Sequence, residues 1–258
     1  MRILLTNDDG IFARGLKALH EELSREAECL IVAPEVERSA VGHAITLFRP
    51  LMVRAVSRNG SSFGYAVNGT PADCVKIGIK EIAQEPIDLV VSGINLGANV
   101  GINVIYSGTV SAATEGAIMG VPAMAISLNT YREPADYSFA ARFARKMARY
   151  MLADNPLRHI PLNINVPALP EEEIRGIAVT RQGKARLIEC FERRVDPRDN
   201  VYYWLAGETQ MSDEEEADTD ASALRRGMIS LTPIDYDLTR HDAMGALETS
   251  IRSTFEPA

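Results

Sequence analysis

Up to about residue 180, two kinds of segment alternate along this chain: short unbroken apolar runs, and longer stretches whose apolar residues recur at helical spacing. Ile3-Leu4-Leu5, "CLIVAP" (29–34), "IDLVVSG" (87–93) and "VPAMAISL" (121–128) belong to the first kind. A run that is too short for a helix yet apolar at nearly every position suits a strand buried on both faces. Leu16, Leu19 and Leu23 predict a helix between Gly15 and Ala27, and a stronger one is predicted from Tyr137 to Leu152. "TPADCVKIGIKEI" (70–82) opens with Thr70, Pro71 and Asp73, a capping box with proline at the first helical position. "SGTVSAATEGAIMG" (107–120) reads as a helix of small residues, and "IPLNINVP" and "IRGIAVTRQG" as two further strands. "ITLFRPLMVRAV" and "SSFGYAVNG" are expected to be extended and joined by a turn at Asn59-Gly60. The alternation predicts an α/β fold with a mostly parallel sheet covered on both faces. Such sheets bind ligands outside the carboxyl ends of their strands, here the loops after Leu5, Val32, Val91 and Leu128.

The loop after Leu5 contains Asp8, Asp9 and Gly10. Neighbouring side chains on a regular strand diverge, but at a strand-to-turn junction two carboxylates can converge, and each then raises the other's proton affinity unless a cation lies between them. The plainer alternative is a helix cap beside a solvated acid. The second loop supplies Arg38, Ser39, Gly42 and His43. The third is rich in glycine and asparagine, with Gly93, Gly97 and Gly101 four residues apart and Asn95 offering a neutral oxygen. It is not a GxGxxG dinucleotide fingerprint. Two carboxylates, a hydroxyl and an amide oxygen are all hard donors, which favours Mg²⁺ or Mn²⁺ over zinc. Further on, Ser107, Gly108 and Thr109 form a turn entering a helix with no acid three residues later to complete a capping box. Free backbone N–H groups there can receive an anion, although an ordinary helix cap has the same sequence.

Charge and cysteine content exclude some classes. Lys and Arg number 27 against 35 Asp and Glu, a net charge of −8, so a basic track for a nucleic-acid polymer is not expected. Three widely spaced cysteines without a CxxC pair are expected to be free thiols. No apolar run approaches the ~20 residues of a membrane span and no secretory leader is recognised, so a cytoplasmic location without membrane attachment is expected. After about residue 181 the texture changes. "RLIECFERRVDPRDNVYYWLAGE" (186–208) reads as two strands around a turn, carrying Phe191, Tyr202, Tyr203 and Trp204; it is either an oligomerisation arm or a sheet-edge hairpin. "SDEEEADTD" (212–220) reads as a solvated charge run, followed by a strand in "GMISLTPIDYDL" and a helix from about Arg240.

In their order and spacing, "LLTNDDG", "ERSAVGHAIT", "GTPADCV", "VVSGINLGANVG" and "YSGTVSAA" resemble the survival protein SurE family, metal-dependent nucleotidases. "LNINVP" and "GIAVTRQG" extend the match to about residue 183. The resemblance implies a Rossmann-like three-layer α/β/α fold, a single domain over 1–258 with its catalytic core in 1–183 and a C-terminal hairpin and helix extension in 184–258 that serves oligomerisation. It also implies one divalent metal ion per subunit, Mg²⁺ or Mn²⁺, on Asp8, Asp9, Ser39 and Asn95, with Asp8 and Asp9 also catalytic. Ser107, Gly108 and Thr109 would bind phosphate; His43 and Asn99 are candidate substrate contacts. The expected activity is hydrolysis of nucleoside 5′-monophosphates, and also of 3′-monophosphates and short polyphosphate, by metal-assisted attack of water in a homodimer or homotetramer. Asn103 stands where many relatives carry aspartate before "YSGT", which alters the charge of the pocket. Competing readings are a phosphatase with Asp8 as covalent nucleophile, disfavoured because Gly10 replaces the usual second aspartate, and a non-catalytic nucleotide-binding module. A serine hydrolase is disfavoured because "VSGIN" lacks the leading glycine of GxSxG.

Overall fold

The computed structural model describes residues 1–58, 60–153, 156–210 and 216–255. In chain order the first half comprises β1 (Arg2–Thr6), α1 (Arg14–Leu23), β2 (Glu28–Pro34), β3 (Val53–Arg58), β4 (Ser61–Val67), α2 (Pro71–Ile77), β5 (Leu89–Leu96), α3 (Asn103–Tyr106) and α4 (Gly108–Ile118). There follow β6 (Ala123–Asn129), α5 (Ser138–Leu152), β7 (Leu162–Pro167), β8 (Ile177–Val179), β9 (Arg186–Val195), β10 (Val201–Gln210), α6 (Asp220–Arg225), β11 (Ile229–Pro233) and α7 (His241–Phe255). Among the described residues the main sheet runs β3-β4-β2-β1-β5-β6-β7-β11-β8. The pairings from β4 through β7 are all parallel, whereas β3 and β11 run antiparallel to β4 and β7. β1 therefore has β2 on one side and β5 on the other, and the strand order reverses direction at that point, the position where open α/β sheets open a crevice.

The unbroken apolar runs are explained by helices on both faces. Ile3 and Leu5 of β1 point into a cluster with Leu16, Leu19 and Leu23 of α1 and Ala144 and Met147 of α5. Leu4, one residue out of phase, faces Cys74 and Val75 of α2 and Val110 and Ala113 of α4. This is the period-two alternation of a strand, with both sides apolar. α1 lies very close to the sheet: a Cβ added at Gly15 would fall 1.9 Å from the Ile94 carbonyl oxygen, so only glycine fits there.

Local signals were reliable where their partners are near in sequence. Thr70 caps α2 as expected, with Asp73 N–H donating to Thr70 Oγ1 at 3.1 Å and Thr70 N–H to Asp73 Oδ2 at 2.9 Å. The helix predicted over 70–82 ends at Ile77 and passes into a wider turn over Gly78–Ile82. The extended stretch predicted from Ile45 becomes a strand only at Val53. Ahead of it the chain is tied to α2 instead, Thr46 donating through N–H and hydroxyl to Asp73 at 2.9 and 2.7 Å. In the expected turn after β3, Asn59 lies outside the described residues; Gly60 follows with φ +79°. Residues 211–215 of the acidic run also lie outside them. β5 continues to Leu96, five residues beyond the predicted end at Val91, so Asn95 sits on the strand and not in the loop after it.

β9 and β10 pair antiparallel over their full length in a separate two-stranded sheet, so the hairpin does not join the edge of the main sheet. Phe191, Tyr203 and Trp204 are exposed on it. β11, from the segment after residue 184, lies inside the main sheet between β7 and β8. No helix among the described residues is long and apolar enough to cross a membrane.

Candidate active site

β1 delivers Asp8 and Asp9 to the crevice at the reversal of strand order. The turn is shaped by buried Asn7, whose Nδ2 donates to the Gly10 carbonyl at 3.0 Å, and by Gly10 at φ +96°. Asp8 is only 6% exposed, and its Oδ1 accepts a short hydrogen bond from the Thr109 hydroxyl on α4. Burial pushes the Asp8 carboxyl above its ordinary range, an effect partly offset by the Thr109 hydroxyl and by backbone N–H groups, including those of Thr109 and Gly108. The start of α4 thus faces a carboxylate of the chain itself. A Cβ added at Gly108 would meet Asp8 Cβ at 2.8 Å and Asp8 Oδ2 at 3.0 Å, so the glycine is what lets helix and strand end approach.

Asp9 is pushed up to about 7 by burial, then by the negative charge of Asp8 and, more weakly, by Glu37 and Glu133; the Leu96 N–H acts in the opposite direction. Leu96 immediately follows Asn95, so the end of β5 meets the end of β1. Asn95 Nδ2 donates to the Gly97 carbonyl at 2.8 Å, which commits its donor end and leaves Oδ1 as its acceptor end. The loop after β2 is pinned to the same place, Arg38 N–H donating to the Asp8 carbonyl at 2.7 Å. Ser39 itself is exposed and donates to Glu37 Oε1 at 2.6 Å.

The remaining expected residues have structural partners. Ser107 accepts from Val110 N–H at 3.1 Å and so is the N-cap of α4, the plainer role open to it in the sequence. His43 Nε2 lies 2.8 Å from Glu115 Oε2 on α4, and Lys76 Nζ of α2 is 2.8 Å from the other oxygen of Glu115. Asn99 is buried in an amide network: its Nδ2 donates to Ser127 Oγ at 2.8 Å and its N–H to Asn165 Oδ1 at 2.8 Å, while its carbonyl accepts from Asn163 and Asn165. Sequence reading singled out neither Glu115 nor the asparagines of β7. The alternating polar positions in "LNINVP" were the available signal, since an asparagine facing inward from a central strand needs a polar partner.

The chemistry of this donor set suits a hard divalent cation. Two desolvated carboxylates at one strand end carry charge that the surrounding protein does not neutralise, and a carbonyl-type oxygen and a hydroxyl stand on the adjoining segments. Among the described residues no group of three or more His, Cys, Asp and Glu side chains is placed to hold a metal. A cavity of about 540 Å³ lined by Met1, Asp88, Pro122 and Arg158 lies at the other end of the sheet, before β1, β5 and β6, away from these residues.

The chain as a whole is similar to known proteins. The family model described as survival protein SurE matches residues 3–189. A protein of Syntrophus aciditrophicus (strain SB) named 5′-nucleotidase SurE is 71% identical over 248 residues, 96% of this chain and 93% of that protein. Another of that name, from Syntrophobacter fumaroxidans, is 51% identical over 247 residues, 96% of this chain and 98% of that protein. The crystal structure of the SurE protein from Aquifex aeolicus superposes with a TM-score of 0.83 at 39% identity, covering 97% of this chain and 99% of that one.

Proposed function

Since this chain belongs to the survival protein SurE family, we propose that it is a 5′-nucleotidase that hydrolyses nucleoside monophosphates at the crevice between β1 and β5 and depends on one divalent cation per subunit. The observation that carries this reading is the pair Asp8 and Asp9, desolvated together after β1, with Asp8 locked onto the first turn of α4 through Thr109. Asp8, Asp9, Ser39 and Asn95 would hold the cation. When bound, a cation of this class offsets the two carboxylates, polarises a phosphoryl oxygen and makes a nearby water more acidic.

The chain's own groups supply the rest. Asp8 already accepts the Thr109 hydroxyl, so Asp9 is the better placed to take the proton of the attacking water. The P–O bond to the nucleoside breaks, and the departing oxygen is protonated from solvent. The turn at Ser107, Gly108 and Thr109 orients the phosphoryl group, with most of the rate gain coming from positioning and charge neutralisation. His43 is paired to Glu115 through Nε2 and stays a candidate substrate contact. Hydrolysis of 3′-monophosphates and short polyphosphate is part of the proposal, as is assembly into dimers or tetramers through the exposed aromatics of the β9–β10 hairpin.

The test is phosphate release from 5′- and 3′-nucleoside monophosphates and short polyphosphate with Mg²⁺, with Mn²⁺ and with EDTA. Release that EDTA stops supports the reading. Binding of nucleotide without release under any cation would replace it with the binding-module alternative.

A further inference from the structure

The loop after β5 is held in large part by groups distant in the chain. Gly97 and Gly101 have φ of +113° and +57°, and almost none of the backbone polar groups from Gly97 to Ile102 pair with one another. Those of Gly97, Asn99, Gly101 and Ile102 find partners outside the loop. On the sheet side, Gly97 N–H donates to the Leu128 carbonyl at 2.9 Å, and Asn163 and Asn165 hold Asn99. Beside the local turns that Asn103 N–H and Val104 N–H close onto the Val100 and Gly101 carbonyls, the segment after β8 holds the other side. Gly101 N–H donates to Asp220 Oδ2 at 2.9 Å, its carbonyl accepts from Gln182 Nε2 at 2.7 Å, and Ile102 N–H donates to the Ala185 carbonyl at 2.8 Å. Ala98 and Val100 pack with Ala185, Ala221 and Leu224 in a small apolar cluster, and a Cβ at Gly101 would strike Ala185.

We propose that Asp220 is a positioning residue for the proposed nucleotidase site, holding the loop that follows Asn95 and carries Asn99 in its working shape. The inference rests on the functional reading above. Asp220 is fully buried at the first position of α6. Oδ2 accepts from Gly101, while Oδ1 accepts from Gly183 N–H at 3.0 Å and from Ala221 N–H at 2.8 Å. One carboxylate therefore joins the site loop, the chain after β8 and a helix 119 residues further along the sequence. Only a group with acceptors at both ends can do this.

Asp220→Asn separates this role from bulk stability. An asparagine keeps the shape and can serve Gly183 and Ala221 through its oxygen, but it then turns an NH₂ toward the Gly101 N–H. The purified full-length variant should weaken Mn²⁺ binding, measured by calorimetric titration, by about 10–100-fold, and raise KM for a nucleoside 5′-monophosphate in the same direction. Ser230→Ala, which removes a buried hydroxyl from β11 in the same segment without touching the loop, should leave both constants unchanged. A folded Asp220→Asn protein with unchanged Mn²⁺ affinity and KM overturns the proposal. If that variant does not fold, Gln182→Ala removes the neighbouring donor to Gly101, and the expected loss of Mn²⁺ affinity is about 2–10-fold; no loss there also overturns it. If the unaltered protein releases no phosphate, the nucleotidase reading fails, whereas the Mn²⁺ comparison still decides the part played by Asp220.

Discussion

Replacing Asp9 by asparagine should make the cation-free protein more stable while ending its turnover. In the folded chain the Asp9 carboxyl is pushed from an ordinary 3.8 up to about 7, first by burial and then by the charge of Asp8. A raised carboxylate pKa means that between those two values the folded state binds more protons than the unfolded state. Stability then falls as pH rises through that window and is level above it. The full difference corresponds to about 4 kcal/mol as an upper value, since Asp9 keeps some contact with water. Urea unfolding in EDTA at about pH 5 and about pH 8 would measure it. Relative to Asp9→Asn, the unaltered protein should lose about 3 kcal/mol between the two conditions. Mg²⁺ or Mn²⁺ should restore most of that loss in the unaltered protein and little in the variant. A stability difference between the two proteins that is the same at both pH values would refute the reasoning, because Asp9 would then titrate in the folded chain as it does in the unfolded one.

Gly108→Ala places a carbon against Asp8 Cβ and should cost about 1–3 kcal/mol by thermal melt and lower kcat/KM together with it. Thr109→Val keeps the shape of the side chain but removes the donor to Asp8, so the Asp8 carboxyl moves further up; the acid limb of the pH–rate profile should shift to higher pH. Burial alone would raise the Glu115 carboxyl, but hydrogen bonds from His43 and Lys76 outweigh it and hold the group below its ordinary value. It therefore contributes stability above the usual carboxylate range and loses it as pH falls. Glu115→Gln should cost about 2 kcal/mol near neutrality, with the difference from the unaltered protein closing in acid, by urea unfolding.

The features that could be read from the sequence are those whose partners lie close by in the chain. Thr70 and Asp73 are three residues apart, and the capping box they form was legible. Asp8, Asp9 and Gly10 were legible because an apolar strand stops there and two acids follow. Asp220 was not. It closes an acidic run, which on composition belongs in solvent, and its partner Gly101 is 119 residues away. The same holds for Glu115, whose partners are 72 and 39 residues distant, and for Asn99, whose clamps are 64 and 66 residues distant. The end of β5 was misplaced because glycine and asparagine after Val91 have low strand propensity, yet pairing to β6 carries the strand on through a bulge between Gly93 and Asn95.

The absence of a side chain at Gly108 has a consequence beyond sterics. Asp8 in the turn after β1, Pro71 on α2 and the start of α4 meet there with no room for one added carbon. Under the proposed function, three elements packed so closely would move together, and the turn at the head of α4 would act as a fixed socket and not as a flap that folds over its ligand. Little chain entropy is then spent when the ligand arrives. The heat and temperature dependence of association should come from stripping water off the phosphate and the carboxylates. On the same proposal, discrimination among phosphomonoesters would fall to the rim of the socket, where the loops after β2 and β5 end, with a floor common to every substrate.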